Sequence, residues 1–466
     1  MKKQVNPIIG AAILIAVIGG VLGLYTRGLL GGRKLRGGGM GGGPTPMGSP
    51  PPEGLRTVIV TTLAGWVRPG YADGKGLQAR FNGPSAITAA PDGSLYACDS
   101  RNHRLRRVAP DGTTTTVAGS GPVDCLPGGF ADGPAEQARL SNPSGVCVGR
   151  EGAVCFADTG NHRIRLLRDG RVSTLAGGPT PRDALGFERG GFRDGPGPEA
   201  RFCYPAALVV TGSGDLLVAD LGNQAIRQVA PDGRVSTVAR GAGLKNPTGL
   251  ALLAGGGLRV ADSEAAALLD LTGAAVKPVP PGRVGLPPRR PCAVCLAPGG
   301  ATLVADAEWH AIFGIKGASV SVLVAGHLPQ RPGPGYGDGT GDAARFARPC
   351  ALAYVKGTAY VADFGNNCIR AVTGPGLDPT TWESSPEPFG PRPPRRGVPG
   401  AGGGGRPGGG RRAPGGPGGG PQGGPPGAAG GGAPRGPGGP GGGPPGGGRR
   451  PGGGPGAGQP FGGRKG

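Results

Sequence analysis

Three histidines stand in one local setting, each four residues after an aspartate: Asp99 and His103, Asp158 and His162, Asp306 and His310. Neutral imidazoles brought together from separate segments are a common way to hold zinc, and the aspartates would suit calcium, so the first chemistry this spacing offers is a metal-dependent lyase or hydrolase. The competing reading is positional. Asp99, Asp158, Asp220, Asp262, Asp306 and Asp363 recur at separations of 59, 62, 42, 44 and 57 residues, and Gln224, Ala266 and Asn367 fill the histidine's place in the other three copies. A group required once per repeat is scaffold, and an aspartate closing a strand accepts hydrogen bonds from the backbone N–H groups of the turn that follows. On this reading no cofactor and no metal is expected.

Other reactive types recur with the same unit. Arg106, Arg165, Arg227 and Arg370 follow Leu or Ile, while Arg80, Arg139, Arg201 and Arg345 lie in longer loops. Ion pairs with nearby acids or caps on loop carbonyls are expected of both sets, with a ring of guanidinium groups facing an anion as the alternative. Cys292 and Cys295 have the spacing of a metal clip, but on a strand residues three apart point to opposite faces, so the thiols should diverge. Cys147 and Cys155 fall on consecutive strands and are the better disulfide pair. There is no G-x-S-x-G, no H-E-x-x-H and no P-loop.

The elements that must place these groups are β. The unit Ser94 to Val108 recurs at Ala153 to Leu167, Asp215 to Val229, Leu258 to Leu271, Ala301 to Ile315 and Thr358 to Val372. Each has a short apolar run ending in the aspartate, a polar turn, and a second run of mixed character. A strand-like segment precedes each unit, and most are followed by one ending Val/Leu-Ala-Gly, giving four short strands six times over. That is the pattern of a six-bladed β-propeller. Four units carry an extra loop of the form Asp-Gly-x-x-x-x-Ala-Arg-Phe/Leu, beginning at Asp73, Asp132, Asp194 and Asp338, which accounts for the uneven spacing. The last unit ends at Val372-Thr-Gly without its fourth strand, and residues 57–65 precede the first unit and match it, so the ring should close on its own N-terminal strand.

These motifs resemble the NHL repeat, with its Tyr-Val-Ala-Asp-x-x-Asn-x-x-Ile-Arg signature, and the Leu-Ala-Gly and Asp-Gly loop elements look like bacterial extracellular members. The resemblance covers residues 57–374 and implies fold more than activity.

Composition divides the chain further. Of 104 glycines and 54 prolines, many crowd residues 388–466, where eleven basic and no acidic residues occur; residues 1–56 hold seven basic and one acidic, so only +4 of the net +21 remains for residues 57–387. A basic face on the folded part is not indicated, and nucleic acid is not an expected partner of the propeller. Residues 7–25 are uncharged and apolar. Nineteen residues in a helix span roughly 28 Å, close to a bilayer's hydrocarbon thickness. The organisation expected is therefore a single-pass anchor over 1–26, a Gly/Pro-rich basic linker over 27–56, the propeller over 57–374, and a disordered Gly/Pro/Arg-rich tail over 375–466 able to touch anionic polymers or lipid. The propeller is expected outside the cytoplasm.

Function should be written where the repeat is broken. Glu308, Trp309 and His310 replace the usual turn in the fifth unit, with Trp309 as an exposed anchor or as packing between blades. The third loop is enlarged and carries Phe187, Arg189 and Phe192. The function expected is a membrane-tethered scaffold that binds a protein or glycan through these loops.

Overall fold

The computed structural model describes residues 58–378 apart from 124, 126–127, 185, 281–287, 317–318, 326–333 and 342. The expected anchor, the linker and all but the first residues of the expected tail lie outside the described residues. No helix among the described residues is long and apolar enough to cross a membrane.

In blade 1, Pro84–Ala89, Leu95–Asp99, Arg104–Val108 and Thr113–Ala118 form an antiparallel sheet in sequence order from axis to rim. The second strand is short and almost wholly buried while the fourth alternates, as expected when inner strands are covered on both faces and the outermost meets solvent. Five further sheets repeat the order, with inner strands Pro143–Val148, Pro205–Val210, Pro247–Leu252, Pro291–Leu296 and Pro349–Val355. Each inner strand packs against the next, and Pro349–Val355 packs against Pro84–Ala89, so the ring is closed. The fold is all-β with six blades.

Closure uses the N-terminal strand. Ile59–Gly65 pairs antiparallel with Cys368–Thr373, from Ile59 opposite Thr373 to Gly65 opposite Cys368 with one slip between Thr62 and Ala64, and becomes the fourth strand of blade 6. Val58 and Val60 sink with Leu303, Ile312, Leu352 and Val361 into the layer between blades 5 and 6. The core as a whole is a set of such inter-blade layers. The folded chain runs past the expected boundary at 374: Pro375–Leu377 makes a short turn, and Leu377 is buried in that same layer.

The Leu-Ala-Gly ending also has a structural cause. A Cβ on Gly65 would stand 2.6 Å from the Asn367 carbonyl, and one on Gly119 would stand 2.5 Å from that of His103. In blades 6 and 1 the fourth strand therefore needs glycine where it passes the turn between strands two and three.

Candidate functional site

Each inner strand begins with proline, which lacks an N–H, and in every blade the ladder slips directly after it: between Pro84 and Ala86, Pro143 and Gly145, Pro205 and Ala207, Pro247 and Gly249, Pro291 and Ala293, and Pro349 and Ala351. The bulged residues are Ser85, Ser144, Ala206, Thr248, Cys292 and Cys350. A bulge takes one side chain out of the alternation and re-aims it, and here all six line one cavity of about 210 Å³. The residue after each repeat aspartate lines it too: Ser100, Thr159, Leu221, Ser263, Ala307 and Phe364. Since all six blades contribute, the cavity lies on the ring axis.

Its walls differ in chemistry. Blades 1, 2 and 4 present hydroxyls; blade 3 presents Tyr204, Ala206 and Leu221; blades 5 and 6 present Arg290, Arg348 and two thiols, joined by Arg101 from blade 1. Several wall groups also link blades. Thr159 Oγ1 donates to the Pro205 carbonyl at 2.6 Å, Thr248 Oγ1 to that of Pro291 at 3.3 Å, Ser100 Oγ to that of Pro143, and Cys350 Sγ to that of Pro84 at 3.4 Å. Burial pushes the Cys292 thiol up to about 11 and the Cys350 thiol higher still, so neither is a thiolate near neutral pH. Burial also lowers the Arg348 pKa, and the Arg290 and Arg101 charges add to the effect. No carboxylate or imidazole occurs among the described residues that line the cavity.

The six aspartates sit behind this wall, fully buried, and serve in two ways. In blades 1, 2, 3 and 6 each carboxylate grips a buried arginine seven residues on. Asp99 Oδ2 accepts from Arg106 Nη1 at 2.7 Å and from Asn102 Nδ2 at 2.8 Å, and Oδ1 accepts from the Asn82 N–H at 2.7 Å. The second guanidinium nitrogen reaches the Asp-Gly loop, donating to the Ala72 carbonyl at 2.7 Å and to Asp73 at 2.8 Å. Arg165, Arg227 and Arg370 repeat the bridge, to Asp158 and Asp132, Asp220 and Asp194, and Asp363 and Asp338. Aromatic rings complete the clamp: Tyr71 and Phe81 lie on Arg106, and Phe192 and Phe202 on Arg227. Burial pushes the Asp99, Asp220 and Asp363 carboxyls up to about 6, against the pull of hydrogen bonds and the paired arginines. In blades 4 and 5, which lack the loop, Leu269 and Phe313 stand in place of arginine. There Asp262 and Asp306 accept from backbone N–H groups instead, those of Asn246 and Ala265 and those of Arg290 and Trp309. Turn capping, expected of all six, is thus the arrangement of two blades.

The alternative of an arginine ring facing an anion does not hold for Arg106, Arg165, Arg227 and Arg370, whose side chains are 0% exposed. Among the loop arginines, Arg80, Arg201 and Arg345 cap carbonyls of their own loops.

The zinc reading of the histidines is also corrected. His103 takes the Asn142 N–H on Nδ1 at 3.0 Å and meets the Cys125 carbonyl with Nε2 at 2.6 Å; His162 takes the Tyr204 N–H at 2.9 Å and meets the Glu188 carbonyl at 2.7 Å. Accepting at Nδ1 fixes the Nε2–H tautomer and leaves no lone pair for a metal. His310 accepts the Arg348 N–H at 2.9 Å. Each ring stitches its blade to the next, and no group of three potential ligands could hold a metal among the described residues. All six residues at this position have φ between 53° and 56°, left-handed backbone that ends the turn.

Trp309 is 5% exposed and packs with Ala251, Leu268, Val304 and Phe313 between blades 4 and 5, so it is no surface anchor. It occupies the position that in blade 1 belongs to Asn102, whose amide holds the Gly70 carbonyl of the Asp-Gly loop. Blade 5 has no such loop to hold, and an apolar ring fills the space. Glu308 stays half exposed, 3.4 Å from Arg289. In the third loop Phe187 is half buried, Arg189 exposed, and Phe192 covers Arg227 and Arg240. The buried member there is Glu188, paired with Arg163 at 2.9 Å. The structure does not gather Trp309 and Phe192 into one site.

Cys147 and Cys155 are register partners, and the hydrogen bond that the Cys147 thiol donates to Cys155 pushes the Cys147 pKa up; both are free thiols rather than a disulfide. Cys292 and Cys295 diverge, one to the axial cavity and the other to the layer between blades 5 and 6.

Comparison with known proteins agrees with this architecture. The family model described as the NHL repeat matches residues 81–107 and 140–165, which fall in blades 1 and 2. The Arabidopsis thaliana protein SUPPRESSOR OF QUENCHING 1, chloroplastic, is 33% identical over 112 residues, covering 23% of this chain and 10% of that protein; Danio rerio Teneurin-3 is 31% identical over 166 residues, covering 33% and 6%. The matched region thus spans about a tenth or less of these relatives. A structural-genomics protein of unknown function from Bacteroides thetaiotaomicron aligns with a TM-score of 0.50 at 16% identity, over 68% of this chain and 76% of that one, a likeness of fold. With its blades in one common register and two of them matched by the repeat's own model, this chain is a six-bladed β-propeller that carries NHL repeats in blades 1 and 2.

Proposed function

We propose that the chain is a membrane-tethered binding scaffold whose propeller holds a protein or glycan at the mouth of the axial cavity and on the loops around it, without transforming it. The observation that carries this is the convergence of six bulged residues on one cavity walled by hydroxyl, amide and guanidinium groups. These bind and orient. With its thiols protonated and no imidazole or carboxylate among the described lining residues, the wall offers no general base near neutral pH. Tethering rests on the uncharged run at residues 7–25, and the basic residues of 388–466 suit contact with anionic polymers or lipid headgroups. The propeller would then stand outside the cytoplasm.

Crosslinking with mass spectrometry on native membranes tests the reading. Crosslinks from a partner to residues around the cavity mouth, lost in an Ala206→Trp variant that fills the cavity, are expected. Partner crosslinks confined to the propeller's outer edge, and unaffected by the replacement, would sink it.

A further inference from the structure

The cavity is chemically one-sided. Arg101, Arg290 and Arg348 meet at one side and are half buried, close enough for their charges to repel one another, and no acidic side chain stands among the described lining residues. An anion entering there relieves that repulsion, and guanidinium groups match a carboxylate's two oxygens. Across the cavity stand the hydroxyl residues Ser144, Thr159, Thr248 and Ser263, together with Asn246, polar groups suited to a ligand's hydroxyls. Leu221, Tyr204 and Phe364 add apolar surface of the kind a sugar ring's C–H face covers.

Backbone strain marks the same place. Asn142, Tyr204 and Arg348 all line the cavity, directly precede the inner-strand proline, and have φ of 47°, 52° and 58°; Gly83 holds the equivalent position in blade 1. Side chains are kept at three positions where glycine would be less strained, and such outliers gather at binding sites. The volume of about 210 Å³ lies below the roughly 300–1,000 Å³ of sites for drug-sized ligands, yet exceeds what a bare inorganic anion needs.

We propose that the axial cavity binds a small acidic sugar, its carboxylate between Arg290, Arg348 and Arg101 and its hydroxyls toward Asn246 and the serine and threonine wall. This rests on the reading of the propeller as a binding module and names the ligand class of that same site.

The test is isothermal titration of the full chain with glucuronate, glucose and inorganic sulfate. Glucuronate is expected to bind at least roughly tenfold more tightly than either of the others, and Arg290→Gln and Arg348→Gln each to weaken it roughly tenfold. Ser263→Asp, which puts a negative charge on the far wall, should abolish glucuronate binding with the circular dichroism spectrum unchanged, and covers the case in which an arginine variant fails to fold. Glucose binding as tightly as glucuronate, or arginine variants that bind like the parent, overturns the anion assignment while leaving the binding reading intact. Sulfate binding as tightly as glucuronate overturns the sugar assignment. If no probe binds but crosslinks at the mouth are found, this inference fails alone; if both are missing, the binding reading fails with it.

Discussion

Asn367 Oδ1 accepts a hydrogen bond from the backbone N–H of Gly83 at 2.9 Å, although 284 residues separate the two. It is the bond that His103, His162 and His310 make to Asn142, Tyr204 and Arg348 at other blade junctions. One position in the repeat therefore joins each of these blades to the next, and at the seam between last and first it joins the ends of the folded chain.

His162 makes this joint sensitive to acid. Burial holds its pKa at about 4 instead of 6.5, so the folded state favours the neutral ring. The stability this contributes is complete above pH 6.5 and is lost as pH falls from 6.5 toward 4, by about 2 kcal/mol at pH 5. The raised aspartates act in the opposite sense, gaining stability as pH falls through about 6 toward 3.8, and they cancel in a comparison between variants. In a His162→Asn variant, which copies the asparagine joint of blade 6, urea denaturation should show a smaller loss between pH 7.5 and 5 than in the parent. Equal losses would refute the assignment.

Arg227 joins Asp220 and Asp194 beneath two aromatic rings. Replacing it with leucine leaves the buried Asp220 carboxylate without its cation and should cost about 3–5 kcal/mol by denaturation. Adding Asp220→Asn should return part of that loss, since it removes the buried charge left without its cation. A single variant costing less than about 1 kcal/mol would show that the bridge does not hold the loop.

Trp309→Ala should destabilise by about 3–5 kcal/mol through the cavity left between blades 4 and 5. Glu308→Ala, at a half-exposed pair, should stay within about 0.5 kcal/mol. Partner capture at temperatures where both variants are folded should match the parent, and selective loss of capture in Trp309→Ala would restore the anchor reading.

Ala266 holds the left-handed position with φ of 53° and has neither an amide nor an imidazole to use there. Ala266→Gly relieves the strain and should raise stability by about 0.5–1 kcal/mol, read as a higher midpoint in thermal unfolding. A lower midpoint would mean that the methyl group packs better than the backbone suffers.

Fold was legible because six copies kept one register and the missing last strand had a visible match at residues 57–65. The bridges were half legible. Arg106, Arg165, Arg227 and Arg370 occur in the four units that carry an Asp-Gly loop and in neither of the others, which is enough to pair them with Asp73, Asp132, Asp194 and Asp338. The histidines misled because their partners belong to neighbouring blades, a relation that spacing within a unit does not express. Trp309 misled for a related reason: its burial follows from the absence of a loop elsewhere in its blade. The axial cavity was illegible, since Ser85, Ala206 and Cys350 share no chemistry, and strand alternation is broken at that residue by the bulge after proline.

Ring closure is the claim on which the cavity depends, and hydrogen exchange across the seam tests it most directly. Amides of Ile59–Gly65 that pair with Cys368–Thr373 should exchange as slowly as those between Leu95–Asp99 and Arg104–Val108 within blade 1, and deleting residues 57–65 should expose Cys368–Thr373. Fast exchange of Ile59–Gly65 in the intact chain, with Cys368–Thr373 unaffected by the deletion, would contradict a closed ring.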